Sequence, residues 1–203
     1  MRAFVIVDMQ NDFMPAGALG VPQANLLIPM INRLIPQFSL VVATQDWHPL
    51  NHVSFAINHP GKKVGERVVV EGQEQILWPV HCVRNTKGAA LVDGLEKGQI
   101  ACAFFKGTDP MIDSYSAFFD NAHLKSTGLG EYLKTHEVEE VVIAGVATDY
   151  CVLYSALDAL KLGFRVVVIK DACRAINVDP EDEKKAFEMM RTKGATILRS
   201  SEV

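Results

Sequence analysis

Six short runs of apolar, mostly β-branched residues punctuate the chain: Ala3–Val7, Leu40–Thr44, Ile100–Phe105, Val141–Val146, Arg165–Ile169 and Ala195–Leu198. Most of them lack polar alternation. Strands covered on both faces of a parallel sheet read this way, because neither face meets water. Between them, helical patterns occupy Leu26–Phe38, Leu129–His136, Cys151–Leu162 and Pro180–Lys193. Pro29 fits its helix best within the first turn, where a missing N–H costs nothing. Asp179 stands as N-cap before Pro180 at the first helical position, and Gly163 and Gly194 end their helices. Strand alternating with helix predicts an α/β fold, doubly wound, with a mainly parallel six-stranded sheet and helices on both faces. Residues 45–99 break the alternation. They are rich in His, Pro, Gly and Trp and mostly loop-like, and so long a loop within a compact domain is usually functional. No repeat, low-complexity tract or linker interrupts the chain, so residues 1–203 are expected to form one domain.

Composition narrows the partners. Hydrophobic residues make up 49% of the chain and charged residues 22%, enough for a substantial core. The net charge is −4 with no basic run, which argues against nucleic acid or an anionic membrane as the main partner. No apolar run reaches transmembrane length. A strand begins almost at once, without a signal-peptide pattern, and the four cysteines form no CxxC pair. Reduced thiols and a cytoplasmic location are the expectation.

The chemistry gathers at strand ends, where open α/β sheets bind their ligands. The first strand leads to Asp8, the second to Asp46, the third to Lys106, the fourth to Cys151, and the fifth to Lys170 and Asp171. Cys151 follows a strand and a tight turn and opens a helix. A thiol there meets unpaired N–H groups and the positive end of the helix dipole, which favours the thiolate. The same N–H groups can hold an oxyanion. A carboxylate beside a thiol serves as its base, and a lysine tunes that carboxylate. Taken singly, a cysteine usually just packs, Asp8 reads as a loop cap and Lys106 as a solvated lysine. Their joint appearance outweighs those readings.

A second cluster lies in the long loop: Asp46-Trp47-His48, His52, and Trp78-Pro79-Val80-His81. Asp46, His48 and His81 form an oxygen-and-nitrogen ligand set that leaves positions open for water, the catalytic rather than the closed structural pattern. A divalent ion is expected there, zinc foremost, with manganese or iron as alternatives. His52 reads as a group behind the ligands rather than a fourth ligand. Phe13, Trp47, Trp78 and Tyr115 lie near both clusters, and a flat aromatic substrate could stack among them.

The motifs Val7-Asp8-Met9-Gln10-Asn11-Asp12-Phe13, Gln45-Asp46-Trp47-His48-Pro49, Trp78-Pro79-Val80-His81-Cys82, Phe105-Lys106-Gly107, Asp113-Ser114-Tyr115-Ser116-Ala117-Phe118-Phe119 and Ala147-Thr148-Asp149-Tyr150-Cys151 span nearly the whole chain. With them the sequence resembles the nicotinamidases of the isochorismatase-like cysteine hydrolase superfamily. The resemblance implies a strand order of 3-2-1-4-5-6 and a triad of Asp8, Lys106 and Cys151. It implies metal ligation by Asp46, His48 and His81, a cis peptide before Ala147, and an oxyanion hole from the Ala147 and Cys151 N–H groups. The implied activity is hydrolysis of nicotinamide to nicotinate and ammonia in NAD salvage, with pyrazinamide as a second substrate and Phe13, Trp78 and Tyr115 holding the ring. Metal-free amidohydrolases of carbamoyl or ureido compounds share the triad but need no metal set. Isochorismatase-type hydrolases share the fold without needing the cysteine. A redox-sensing or nucleotide-binding module would leave the constellation unexplained, and no glycine-rich phosphate fingerprint follows the first strand. Whether the chain self-associates stays open.

Overall fold

The structure, a computed structural model, describes residues 1–70 and 72–203. Its strands are β1 (Arg2–Val7), β2 (Leu40–Asp46), β3 (Arg67–Val70), β4 (Gln73–Ile76), β5 (Cys102–Lys106), β6 (Glu140–Val146), β7 (Arg165–Arg174) and β8 (Thr196–Leu198). Its α-helices are α1 (Leu27–Leu34), α2 (Leu129–Thr135), α3 (Leu153–Lys161) and α4 (Asp182–Thr192). Six strands form one sheet in the order β5-β2-β1-β6-β7-β8, with every pairing parallel. Counted within that sheet, the order is the 3-2-1-4-5-6 that the resemblance implies.

Each strand divides its residues between two core layers, because successive side chains point to opposite faces. Ala3, Val5 and Val7 of β1 pack with Leu129 and Leu133 of α2, Ala156 and Ala159 of α3, and Phe187 and Met190 of α4. Phe4 and Ile6 face the other way, onto Leu27, Ile31 and Leu34 of α1. All three of those α1 residues are buried, and their spacing of four and three is the helical stripe that a sheet face demands.

Several predicted boundaries move. The α1 pattern ends at Leu34, and Pro36 sits in a 3₁₀ turn over Ile35–Gln37. Pro29 does occupy the first turn. The last helix begins at Asp182 rather than Pro180. Asp179 caps the preceding turn instead, accepting the Glu181 N–H at 2.8 Å, while Asp182 accepts the Asp179 N–H at 2.8 Å. Gly163 and Gly194 end α3 and α4 with φ of +90° and +110°, a conformation that favours glycine. Cys151 lies within a π turn, Thr148–Val152, that leads into α3, not at the first position of a regular helix. Within residues 45–99 the antiparallel β3–β4 hairpin stands where loop was expected.

The largest departure is β7. It runs on to Arg174, past the expected end at Ile169. Ile143 of β6 pairs with Val168, but Gly145 pairs with Cys173, so β7 carries extra residues at an irregularity. Extra residues of this kind bend a strand and re-aim its side chains.

Candidate active site

The carboxyl ends of β1, β2 and β5 bring three charged side chains together, all almost fully buried: Asp8, Asp46 and Lys106. Lys106 Nζ lies 2.9 Å from Asp8 Oδ2, donates a short hydrogen bond to Asp46 Oδ1 and another of 3.0 Å to the Ser114 carbonyl. It also lies 3.4 Å from Cys151 Sγ. Ligand atoms of Asp8, Asp46 and Cys151 all fall within 4.8 Å of one another. Asp8 Oδ1 accepts the Thr44 hydroxyl at 2.7 Å. Asp8 Oδ2 pairs with Lys106 by charge but receives no hydrogen bond of good geometry, so it is free to take a proton. The Gln10 side-chain amide locks the backbone at Asp46, accepting its N–H and donating to its carbonyl, both at 2.8 Å.

Burial and neighbours divide the protonation states. Burial pushes the Asp8 carboxyl up to about 6, with Lys106 opposing and Asp46 adding to the rise. Burial also works against charge on Asp46, but Lys106, His48 and His81 outweigh it and hold that carboxyl well below its usual range. Lys106 is desolvated too, yet Asp46, Asp8 and Cys151 overcome this and keep the ammonium charged. Cys151 departs from the sequence-based expectation. Burial, with Asp8 and Asp46 nearby, raises its thiol well above the ordinary value despite Lys106. The resting side chain is therefore a thiol, and its activation requires a proton acceptor.

Beside this group stand Asp46, His48 and His81. His48 Nε2 and His81 Nε2 lie 3.6 Å and 3.8 Å from Asp46 Oδ2, and the three ligand atoms cluster within 4.8 Å. Those separations are long for hydrogen bonds and leave room for a cation between them. Each ring is oriented from behind: His48 Nδ1 sits 2.8 Å from the Gly107 carbonyl and His81 Nδ1 2.8 Å from the Pro79 carbonyl. An Nδ1–H donated to a carbonyl leaves the Nε2 lone pair for a metal, as in ligating histidines generally. Asp46 thus splits its oxygens, Oδ1 to Lys106 and Oδ2 to the histidines. The donor set fits a divalent metal. His52 packs against the His48 ring with centroids 4.1 Å apart and Nδ1 2.7 Å from Ser54 Oγ. It groups with His48 and Asp113 rather than with Asp46 and His81.

Gly107 turns the chain at this point with φ +61°, and a Cβ there would lie 2.3 Å from the His48 ring. Gly107→Ala is expected to displace His48 and lower metal affinity about 10–100-fold, while Cys151 stays in place. Metal titration of the stripped variant checks this, and unchanged affinity would show that His48 is not held from behind by Gly107.

A narrow pocket joins the two groups. Phe13, Trp78 and Tyr115 line it together with Asp46, His48, His81, Ala147 and Cys151. The Val146–Ala147 peptide is cis. Trp78 Nε1 donates to the Tyr115 hydroxyl at 3.3 Å, which fixes two of the aromatic walls. Trp47 is not part of the lining; it stacks on Phe105 at 4.5 Å. Four lining residues carried no role in the sequence: Leu19, Asp113, Tyr150 and Ile176. Tyr150 meets Trp78 edge-on at 5.0 Å. Asp113 and Tyr150 stand inside quoted motifs, which was their only signal. Lys170 and Asp171 do not join the pocket. They lie within the irregular part of β7 and line a neighbouring cleft.

The chain belongs to the isochorismatase domain family, whose profile matches residues 2–202. Within that family it is 46% identical to the nicotinamidase of Escherichia coli, over 97% of this chain and 93% of that one. A nicotinamidase/pyrazinamidase structure from Acinetobacter baumannii superposes with a TM-score of 0.96 at 43% identity, covering 99% of this chain and 97% of that one. The pyrazinamidase of Pyrococcus horikoshii in complex with zinc superposes with a TM-score of 0.79 at 41% identity, each chain covered to 98%.

Proposed function

We propose that this chain is a nicotinamidase that hydrolyses nicotinamide to nicotinate and ammonia, and pyrazinamide likewise, serving NAD salvage. The observation that carries the reading is the aromatic pocket, which is lined by Cys151 and by the Asp46, His48 and His81 set, with Asp8 and Lys106 buried against the thiol. Its aromatic walls, Phe13, Trp78 and Tyr115, suit a single flat ring. The 46% identity to the Escherichia coli nicotinamidase supports the same substrate.

In the proposed mechanism Asp8 takes the Cys151 proton, and the thiolate attacks the carboxamide carbon. The N–H groups of Ala147 and Cys151 hold the resulting oxyanion, each donor worth on the order of 3 kcal/mol in the transition state. Asp8, now protonated, gives its proton to the departing ammonia, leaving a thioester on Cys151. Water, deprotonated by Asp8, cleaves the thioester, releases nicotinate and restores the thiol. Lys106 keeps Asp8 and Asp46 in place and offsets their charge. Phe13, Trp78 and Tyr115 hold the ring. Asp46, His48 and His81 would hold the divalent ion, for which zinc is our choice. Once bound, such an ion offers a Lewis acid to the lone pair of the pyridine nitrogen.

The test is ammonia release from nicotinamide by purified protein, before and after chelation and metal replacement. Metal-restored release supports the reading. Folded, metal-supplied protein that releases none would refute it and redirect the search to carbamoyl and ureido amides.

A pH profile follows from Asp8. The base form is required, and burial places its carboxyl at about 6. kcat/KM is expected to be level above that value and to fall about tenfold per unit below it. A profile that stays level down to pH about 4.5 would remove Asp8 as the base.

A further inference from the structure

The irregularity in β7 has a second effect. It delivers Lys170 to a cleft of about 500 Å³, open to solvent, where Arg174 and Arg199 also face. Ile176 lines both this cleft and the aromatic pocket, so the two share a wall. Among the described residues, none of the three cations has a carboxylate within 4.0 Å. Arg174 is fixed by donating Nη1 to the carbonyls of Asp171 at 3.1 Å and Cys173 at 2.7 Å. Lys170 rests 5.5 Å above the Phe187 ring.

Two acids also line the cleft, and both are engaged. Asp171 accepts the Ser200 N–H at 2.7 Å and its hydroxyl at 2.8 Å, one on each oxygen. Glu183 Oε1 takes the Thr148 hydroxyl at 3.4 Å. Hydrogen bonds from these neutral groups leave both carboxylates charged, so the three cations exceed the two acids by one, on a chain of net charge −4.

We propose that this cleft is an anion site for the pyridine carboxylate product leaving the aromatic pocket, and that the product restrains turnover through it. The inference rests on the amide-hydrolysis reading above. That reaction converts an uncharged substrate into an anion. The cations therefore do nothing for the amide but attract the carboxylate, so the cleft discriminates product from substrate by charge alone. An open cleft of this size holds a single ring loosely, and the attraction weakens as salt is added.

The experiment measures inhibition by added nicotinate in the metal-loaded protein, in the Lys170→Gln/Arg199→Gln double variant, and in Lys134→Gln. Lys134 is an exposed lysine on α2 and lies outside the cleft. The double variant is expected to raise the inhibition constant about three- to tenfold, with kcat/KM for nicotinamide within twofold of the parent. Lys134→Gln is expected to change neither, and added salt should narrow the gap between parent and double variant. Equal inhibition constants in all three proteins would overturn the proposal, as would an equal rise in Lys134→Gln, which would mark a general charge effect. Absence of ammonia release from the parent would instead overturn the reading it rests on.

Discussion

Cys151→Ala is expected to fold, to bind metal and the amide, and to turn over at least about 10⁴-fold more slowly than the parent. Removing a nucleophile that works as a unit with its base costs about as much as removing the whole unit. The residue lies in the Thr148–Val152 turn with its side chain in the core layer beneath α3. Its thiol is held neutral by burial, so a methyl group replaces an uncharged atom and leaves no buried charge unpaired. The fold should therefore stay within about 1 kcal/mol of the parent. Steady-state ammonia release gives the rate, and urea unfolding gives the stability. Retention of more than a few per cent of the turnover in a fully folded variant would end the covalent scheme. Equally low turnover in an unfolded variant would say nothing of chemistry, which is why unfolding is measured alongside.

The strands were legible because burial on both faces writes itself as unbroken apolar sequence, as in Val141–Val146. Asp8, Asp46 and Lys106 were legible for a related reason. Each is a charged residue closing such a run, where the sheet stops and a ligand crevice begins. What stayed hidden depends on contacts between distant residues. Thr44 orients Asp8 and Gln10 clamps Asp46 across 36 residues of chain, and neither residue carries a local signature of that task. The end of β7 misled because Lys170 and Asp171 look like the close of a buried strand. The strand instead bulges there and resumes pairing at Cys173 with Gly145, whose φ is +126° and on which a Cβ would fall 2.0 Å from the Val7 carbonyl oxygen, so no side chain fits. The β3–β4 hairpin was missed because Gln73-Glu74-Gln75 is polar, although Gln75 is buried, donating to Asp113 at 3.0 Å. The protonated state of Cys151 also lay beyond local reading. A turn before a helix argues for a thiolate, and only the packed surroundings show desolvation and two carboxylates prevailing over one lysine.

Lys106→Met is expected to lose activity and about 3–5 kcal/mol of stability at neutral pH, because it leaves two buried carboxylates without their shared cation. Methionine keeps the unbranched stem, so packing alone would cost far less. The pH dependence separates the two causes. In the parent, Asp46 is held well below the ordinary carboxylate value. Its stabilising charge is present above that ordinary value and is lost as pH falls through the depressed one. Asp8 has the opposite sign. Raised to about 6, it binds a proton more tightly folded than unfolded, so its buried charge costs stability at neutral pH and the cost fades as pH falls. Without Lys106 both carboxyls move upward, Asp8 with no cation left to oppose its burial and Asp46 with only His48 and His81. The deficit of the variant against the parent should therefore be largest at pH 7–8 and should shrink as pH falls toward about 4. Urea unfolding of both proteins across that range measures it. A deficit that does not change with pH would assign Lys106 a packing role and leave the charge arrangement at the strand ends without its central member.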